Sequence, residues 1–270
     1  MVGSIYGLSV THDNFPDWFS LTGNHDRLIL TRVDGLNPPP VNINTSTGGT
    51  IDGTFFNSAR VQQRNIVLTI LPRGNIEDNR RLLYRLFPIN QIVTLRYFST
   101  GRTVEIQGYI EAIEGSLFEN PQTFTVSIVC PRPFWQDVQS TEIIVTSTST
   151  QLVNAGDVEN GVEIVADFEN LPSGTGCRGL TISNTATGEH IEFTNTFTIN
   201  DYLTICTIQG RLAAYFTRSG TNVNLLKYIA SGSSWLKMRK GNNYLAISTD
   251  NSTESYVNMQ LTHYNQYVGV

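Results

Sequence analysis

Apolar and polar positions alternate along most of this chain, which is the period of strands buried on one face. Val93, Leu95 and Tyr97 alternate, Ser99-Thr-Gly101 turns the chain, and Val104, Ile106, Gly108 and Ile110 alternate back, so a β-hairpin is predicted. Phe124, Val126, Ile128 and Cys130 share one face of a further strand. Leu28–Val33 and Arg64–Leu71 are short β-branched runs, the second stopped by Pro72. The period lengthens to that of a helix over Ile76–Phe87, where Leu82, Leu83, Leu86 and Phe87 fall on one side. Asn75 is placed to cap this helix, Glu77 and Asp78 sit at its positive end, Glu77 precedes Arg81 by four, and Pro88 ends it.

Two stretches interrupt the regular pattern. Gly35–Gly53, with Pro38-Pro39-Pro40 and Gly48-Gly49, is too proline-rich for a central strand and too long for an ordinary connection. It reads either as a solvent loop or as an arm packing on a neighbouring subunit, with Pro38, Pro39, Pro40, Asn42, Thr45, Gly48 and Gly49 as its candidate contacts. The Ser/Thr-rich run Thr141–Thr150, after the turn-forming Pro131-Arg-Pro133, reads as the junction of two domains, 1–140 and 141–270. Beyond it, helix signal nearly vanishes. Strand-like runs at Val162–Phe168, Leu180–Ser183, His190–Phe193, Leu203–Ile208, Arg211–Phe216, Trp235–Met238, Tyr244–Ser248 and Val257–Leu261 are separated by Gly, Asn, Asp and Ser, a spacing that implies a β-sandwich.

Charge supports the division. Residues 1–140 contain no lysine, with eleven Arg against twelve acidic residues, whereas the remainder has three Lys and four Arg against eleven acidic residues. The formal net charge of -5 leaves no broad basic surface, which argues against tight nucleic-acid binding. With only 15% charged residues, the surface is dominated by Ser, Thr, Asn and Gln and suits extensive protein contacts. Cys130, Cys177 and Cys206 are odd in number and widely spaced, and so read as buried free thiols of a reducing compartment. Met1–Val10 lacks a basic start followed by an apolar run, and no window approaches a membrane span; the expectation is synthesis and assembly in the cytoplasm, without membrane insertion.

The residues offer little chemistry. Gly174-Thr-Gly176-Cys-Arg-Gly179 matches GxGxxG, but a strand-like run follows where a dinucleotide site needs a helix N-terminus, so it reads as an inter-strand turn. His12, His25, His190 and His263 show no metal-ligand spacing, and no GxSxG elbow is present. Glu111/Glu114 and Asp167/Glu169 are close in sequence and read as solvated positions. Arg80, Arg81 and Arg85 form a helix face that either binds an anion or, given Glu77 and Asp78 beside it, meets solvent or another subunit. Trp235, with Tyr215 and Tyr228, is a candidate sugar-stacking platform, although strand aromatics more often serve a core or interface. No catalytic, cofactor-binding or metal-binding residue is expected.

Asp34-Gly-Leu-Asn-Pro-Pro-Pro40, Asp52-Gly53, Arg64-Asn-Ile66, Arg80-Arg-Leu-Leu-Tyr84 and Phe87-Pro88 occur in an order that resembles the first domain of the distal tail proteins of long-tailed bacteriophages. Gln107-Gly-Tyr-Ile-Glu111, Phe118, Ser127-Ile-Val-Cys-Pro131 and Pro133-Phe-Trp135 extend the likeness. The second part is similar to that family's galectin-like domain through Gly188–Phe193, Tyr202–Ile208, Arg211–Phe216 and Ser234-Trp-Leu-Lys-Met238 leading to Lys240-Gly-Asn-Asn243. The resemblance implies a mainly β chain: an N-terminal β-sandwich or split barrel with one helix, followed by a galectin-like β-sandwich. It implies a homohexameric ring at the virion tail tip, with the first domain lining a channel that DNA traverses without specific binding. Its neighbours would be the tail tube protein, a tail-associated hub or lysin protein, and receptor-binding or other baseplate proteins. A neutral or acidic channel lining is predicted, since a basic one would retain phosphates. The sugar-contact pattern of true galectins is incomplete: His263-Tyr-Asn265-Gln-Tyr267 lacks the arginine, and Met238 stands where a glutamate would follow Trp235. Two other functions compete with the structural reading, namely a carbohydrate-binding module contributing to cell-wall adhesion and a tail-associated cell-wall hydrolase.

Overall fold

The structure is a computed structural model that describes residues 6–23, 27–49, 52–115 and 118–270. His25 therefore lies outside the described residues. The chain is mainly β with one α-helix among these residues, and it divides into two compact units: Met1–Val138 with Tyr267–Val270, and Gln139–Gln266.

The first unit contains β1 (Gly7–His12), β2 (Phe15–Ser20), β3 (Leu28–Asp34), β4 (Val41–Ser46), β5 (Phe55–Val61), β6 (Arg64–Pro72), α1 (Ile76–Leu86), β7 (Ile92–Phe98), β8 (Thr103–Gly115), β9 (Phe124–Cys130) and β10 (Trp135–Asp137). Its main sheet runs β2-β1-β7-β8-β9-β6-β3, with β10 paired to β8. The predicted alternation places Ile66, Leu68, Ile70, Val93, Leu95, Val104, Ile106, Phe124, Val126 and Ile128 on one buried face, where they meet Leu82, Leu83, Leu86 and Phe87 of the helix segment. Fully burying side chains of this size stabilises by about 1.5–3 kcal/mol each, which fixes the helix on the sheet despite its modest length. Asn75 caps α1 by accepting from the Asp78 N–H at 3.4 Å, and the helix stops at Leu86, with the Phe87 N–H bonded to Leu83 O. Gly108 is required on the buried face: a Cβ there would lie 2.7 Å from Ile128 and 2.9 Å from Cys130.

The pattern of hydrophobic residues did not predict β1 and β2. β2 (Phe15–Ser20) contains Pro16 and Asp17 and lies at the sheet's edge, where proline is tolerated because its missing N–H faces no partner strand. Nor is Gly35–Gly53 an irregular loop throughout, because Val41–Ser46 forms β4 and pairs with β5 as a separate two-stranded ribbon.

In the second unit, β11 (Thr141–Val145), β12 (Thr150–Asn154), β13 (Glu163–Asp167), β14 (Cys177–Asn184), β15 (Glu189–Phe197), β16 (Tyr202–Cys206), β17 (Ala213–Arg218), β18 (Thr221–Asn224), β19 (Gly241–Ser248) and β20 (Asn258–His263) form two antiparallel sheets. One runs β11-β20-β13-β16-β17-β18 and the other β12-β19-β14-β15. Ile164, Leu203 and Leu261 of the first join Leu180, Phe193 and Ile247 of the second in one core, so this unit is a β-sandwich. Within it Phe168 stacks on Phe197 with ring centroids 4.7 Å apart, and Phe197 meets Phe216 edge to face at 5.7 Å.

Two local expectations fail here. Within the Ser/Thr-rich run, Thr141–Val145 is a strand of this sandwich. Conversely, Trp235–Met238 is not a strand and makes only an isolated bridge from Met238 to Asn160. Its carbonyls are engaged by side chains instead: buried Asn184 donates to Lys237 O at 3.1 Å and buried Asn154 to Met238 O at 3.0 Å. The three cysteines are free and buried, as their spacing suggested.

Candidate functional site

The arm formed by β4 and β5 is the most unusual feature of the first unit. Every residue of both strands is exposed, including Ile43 at 59% and Phe56 at 66%. The register pairs Val41 with Val61, Ile43 with Ala59 and Thr45 with Phe56. Residues opposite each other share a face, so Val41, Ile43, Phe56, Ala59 and Val61 make one side of the ribbon apolar. A bulge at Asn57 of β5, opposite the Asn44–Thr45 step of β4, moves Phe56 onto that side; in unbroken alternation it would point the other way. Asn42, Ile43, Asn44, Ser58 and Arg60 line a shallow depression on the ribbon. A two-stranded ribbon is marginal alone in water, and one that shows an apolar face to solvent gains its stability from whatever covers that face.

The arm connects the adjacent strands β3 and β6, and its root is held by Arg64, the first residue of β6. Arg64 is 1% exposed. Its guanidinium donates to four backbone carbonyls: Gly35 and Asn37 at 2.6 Å each, Val268 at 2.6 Å and Pro133 at 2.7 Å. No salt bridge to a carboxylate involves Arg64 among the described residues, so carbonyl dipoles solvate this cation, together with the Trp135 ring, whose centroid lies 5.9 Å from the guanidinium carbon. Burial lowers its pKa from the ordinary arginine value. The same burial pushes the neighbouring Cys130 thiol up to about 12. Gly35 opens the arm with φ of +88°, and a Cβ there would lie 2.1 Å from Asn65 O. Gln62 N–H donates to Pro40 O at 2.9 Å and closes the root from the other side.

The residues singled out in the sequence fall into three groups. Pro39 is buried at the root, Pro38 and Pro40 are exposed beside it, Asn42 and Thr45 lie on β4, and Gly48 and Gly49 lie toward the tip. On α1, Arg80 and Arg81 both pair with Glu77, the latter at 3.3 Å, while the exposed Arg85 side chain has no ion pair among the described residues. Trp235 is half-buried and packs on the second unit's core with Tyr228. Sequence reasoning missed Arg64 as the organiser of the arm; a lone arginine opening an apolar strand was the available signal.

The remaining motifs are structural. Gly179 sits at a bulge inside β14 with φ of +59°, and a strand continues from it. Glu111 accepts from Ser127 at 2.8 Å and Asp167 from Asn258 at 2.8 Å, as solvated strand residues do. His12 Nε2 lies 2.8 Å from Arg85 O. Among the described residues no group of three or more His, Cys, Asp or Glu side chains is arranged to hold a metal ion, and no helix is long and apolar enough to cross a membrane.

No protein-family model matches the sequence, and no curated protein does. Among solved structures, the chain is similar to the Dit protein of phage SPP1, described as a paradigm of the hub adsorption apparatus in phages infecting Gram-positive bacteria. The TM-score is 0.70 at 13% identity, covering 96% of this chain and 98% of that one. It is also similar to a chain of the phage P2 baseplate in its activated conformation with calcium, with a TM-score of 0.52, 11% identity and the same coverages. At such identities the likeness establishes a shared fold, and the resemblance to distal tail proteins read from the motifs holds at that level along nearly the whole chain.

Proposed function

We propose that this chain is a structural subunit of a phage tail tip that closes into a hexameric ring and performs no bond-making chemistry. The observation that carries this reading is the fold shared end to end with the SPP1 hub protein, at a TM-score of 0.70. The arm supplies a physical means of assembly. A head-to-tail contact that closes by rotation needs two different complementary surfaces per subunit, and an exposed ribbon with one apolar face is one of them. In this reading the ring joins the tail tube protein to a hub or lysin protein and to receptor-binding or other baseplate proteins at the virion tail tip, after assembly in the host cytoplasm. DNA passes through its channel unbound. The exposed Arg85 edge of α1 is a second candidate contact, with Arg80 and Arg81 sharing the single carboxylate of Glu77. The carbohydrate-binding alternative has less support, since Trp235 is committed to core packing.

The test is mass measurement and negative-stain imaging of the purified chain, alone and mixed with tube and hub proteins. Rings are expected with partners present, and Ile43→Asp combined with Phe56→Asp should abolish them without lowering the melting temperature, because both side chains are exposed. Failure to find any annular species in those mixtures or in assembled particles would refute the proposal.

A further inference from the structure

We propose that Arg64 is a pin fixing the direction of the arm, and that the pin closes only when Tyr267–Val270 has returned to the first unit. Arg64 opens β6 on the incoming leg of the arm, and its side chain reaches Gly35 O and Asn37 O on the outgoing leg. The two legs are thereby stapled through a buried cation. Swinging the arm about its root would strip acceptors from a guanidinium that forms no ion pair among the described residues, and an unsolvated buried charge is among the costliest states a protein can hold. The arm therefore has one favoured direction rather than a range.

Closure depends on a remote segment. Arg64 Nη2 donates to Val268 O, 204 residues along the chain. Val270 N–H donates to Leu36 O at 3.3 Å, and Gly269 lies where a Cβ would stand 3.2 Å from Pro38 Cδ, so this segment also ties the outgoing leg directly. Tyr267 anchors it: its hydroxyl donates to Asp137 at 3.0 Å and the Arg102 guanidinium lies 3.7 Å over its ring. Because domains form in order as a chain emerges, the first unit exists with an incomplete clamp throughout synthesis of the second. Only a chain synthesised through Val270 holds its apolar ribbon in the defined direction, which delays association until both units exist. The clamp itself stands on intramolecular contacts; its consequence for assembly rests on the ring reading above.

Nitroxide labels on Ser58→Cys in the arm and Thr100→Cys in the β7–β8 turn read the arm's direction by pulsed electron resonance, with Cys130, Cys177 and Cys206 buried and unlabelled. One narrow distance peak is expected for the otherwise unaltered chain. Arg64→Met and, separately, deletion of residues 268–270 should each lose that peak to a broad distribution while circular dichroism still reports folded β-structure. A broad distribution in the unaltered chain, or an unchanged narrow peak in both folded variants, would overturn the proposal. Should Arg64→Met fail to fold, the deletion variant decides alone: broadening supports the clamp and an unchanged peak refutes it. A narrow peak in the unaltered chain, lost in the variants, with no rings under any condition would leave the clamp standing and count against the assembly reading.

Discussion

Asp201 offers a sharp test of how the second unit is held together. It is 1% exposed, accepts from the Thr198 N–H at 2.7 Å, and meets Arg218, whose Nε donates at 2.8 Å. Burial by itself pushes the carboxyl up, but the Arg218 guanidinium and the Thr198 N–H outweigh it and hold the pKa below the usual value. Both carboxylate oxygens accept from the guanidinium and one also accepts from the Thr198 N–H, so in Asp201→Asn the amide nitrogen faces the guanidinium in either orientation and at least one donor loses its acceptor. A hydrogen bond to a charged group contributes about 1.5–3 kcal/mol, but the Arg218 side chain is 44% exposed and solvent screening reduces its share. With the Thr198 bond included, the expected loss is about 2 kcal/mol, or roughly 8 °C in melting temperature for a unit of this size. A carboxylate whose folded pKa is depressed contributes its stability above the unfolded value of about 3.9 and loses it as pH falls through the folded pKa. Urea melts followed by circular dichroism at pH 7 should separate the two proteins, and the gap should shrink as pH drops below about 3.9. A gap equally wide at pH 7 and pH 2, or none at pH 7, would refute the account.

Burial raises the Cys130 thiol to about 12 and the Cys177 thiol to about 11, so both stay protonated well above neutral pH. A thiol-reactive dye should therefore label neither in the native chain at pH 8, and all three cysteines after unfolding. Trp235→Ala should lower the stability of the second unit by about 2 kcal/mol through lost packing, checked by thermal melting, and should leave a glycan-array profile unchanged.

Elements whose signal lies within a few residues were legible. Ile66, Leu68 and Ile70 announce a buried strand face by alternation alone, and Asn75, Leu82, Leu83 and Pro88 delimit α1, because strand and helix periods and caps are local properties. Where burial was one-sided or absent the signal faded. β2 carries proline at a sheet edge, and β4 has no core face to reward its alternation, so neither showed the contrast that marks a strand. Trp235–Met238 misled in the opposite sense, since its apolar alternation reflects core packing in a segment whose carbonyls are taken by Asn154 and Asn184.

By itself the amino-acid order determined that this protein is mainly β, carries the capped helix α1 and keeps its thiols apart. Tertiary structure decided the rest. Whether Phe56 joins the apolar side of the ribbon depends on a single bulge at Asn57, and the solvation of Arg64 depends on carbonyls 27, 29, 69 and 204 residues distant. Such contacts leave no period in the sequence, because they arise only after hydrophobic burial has already folded the chain back on itself.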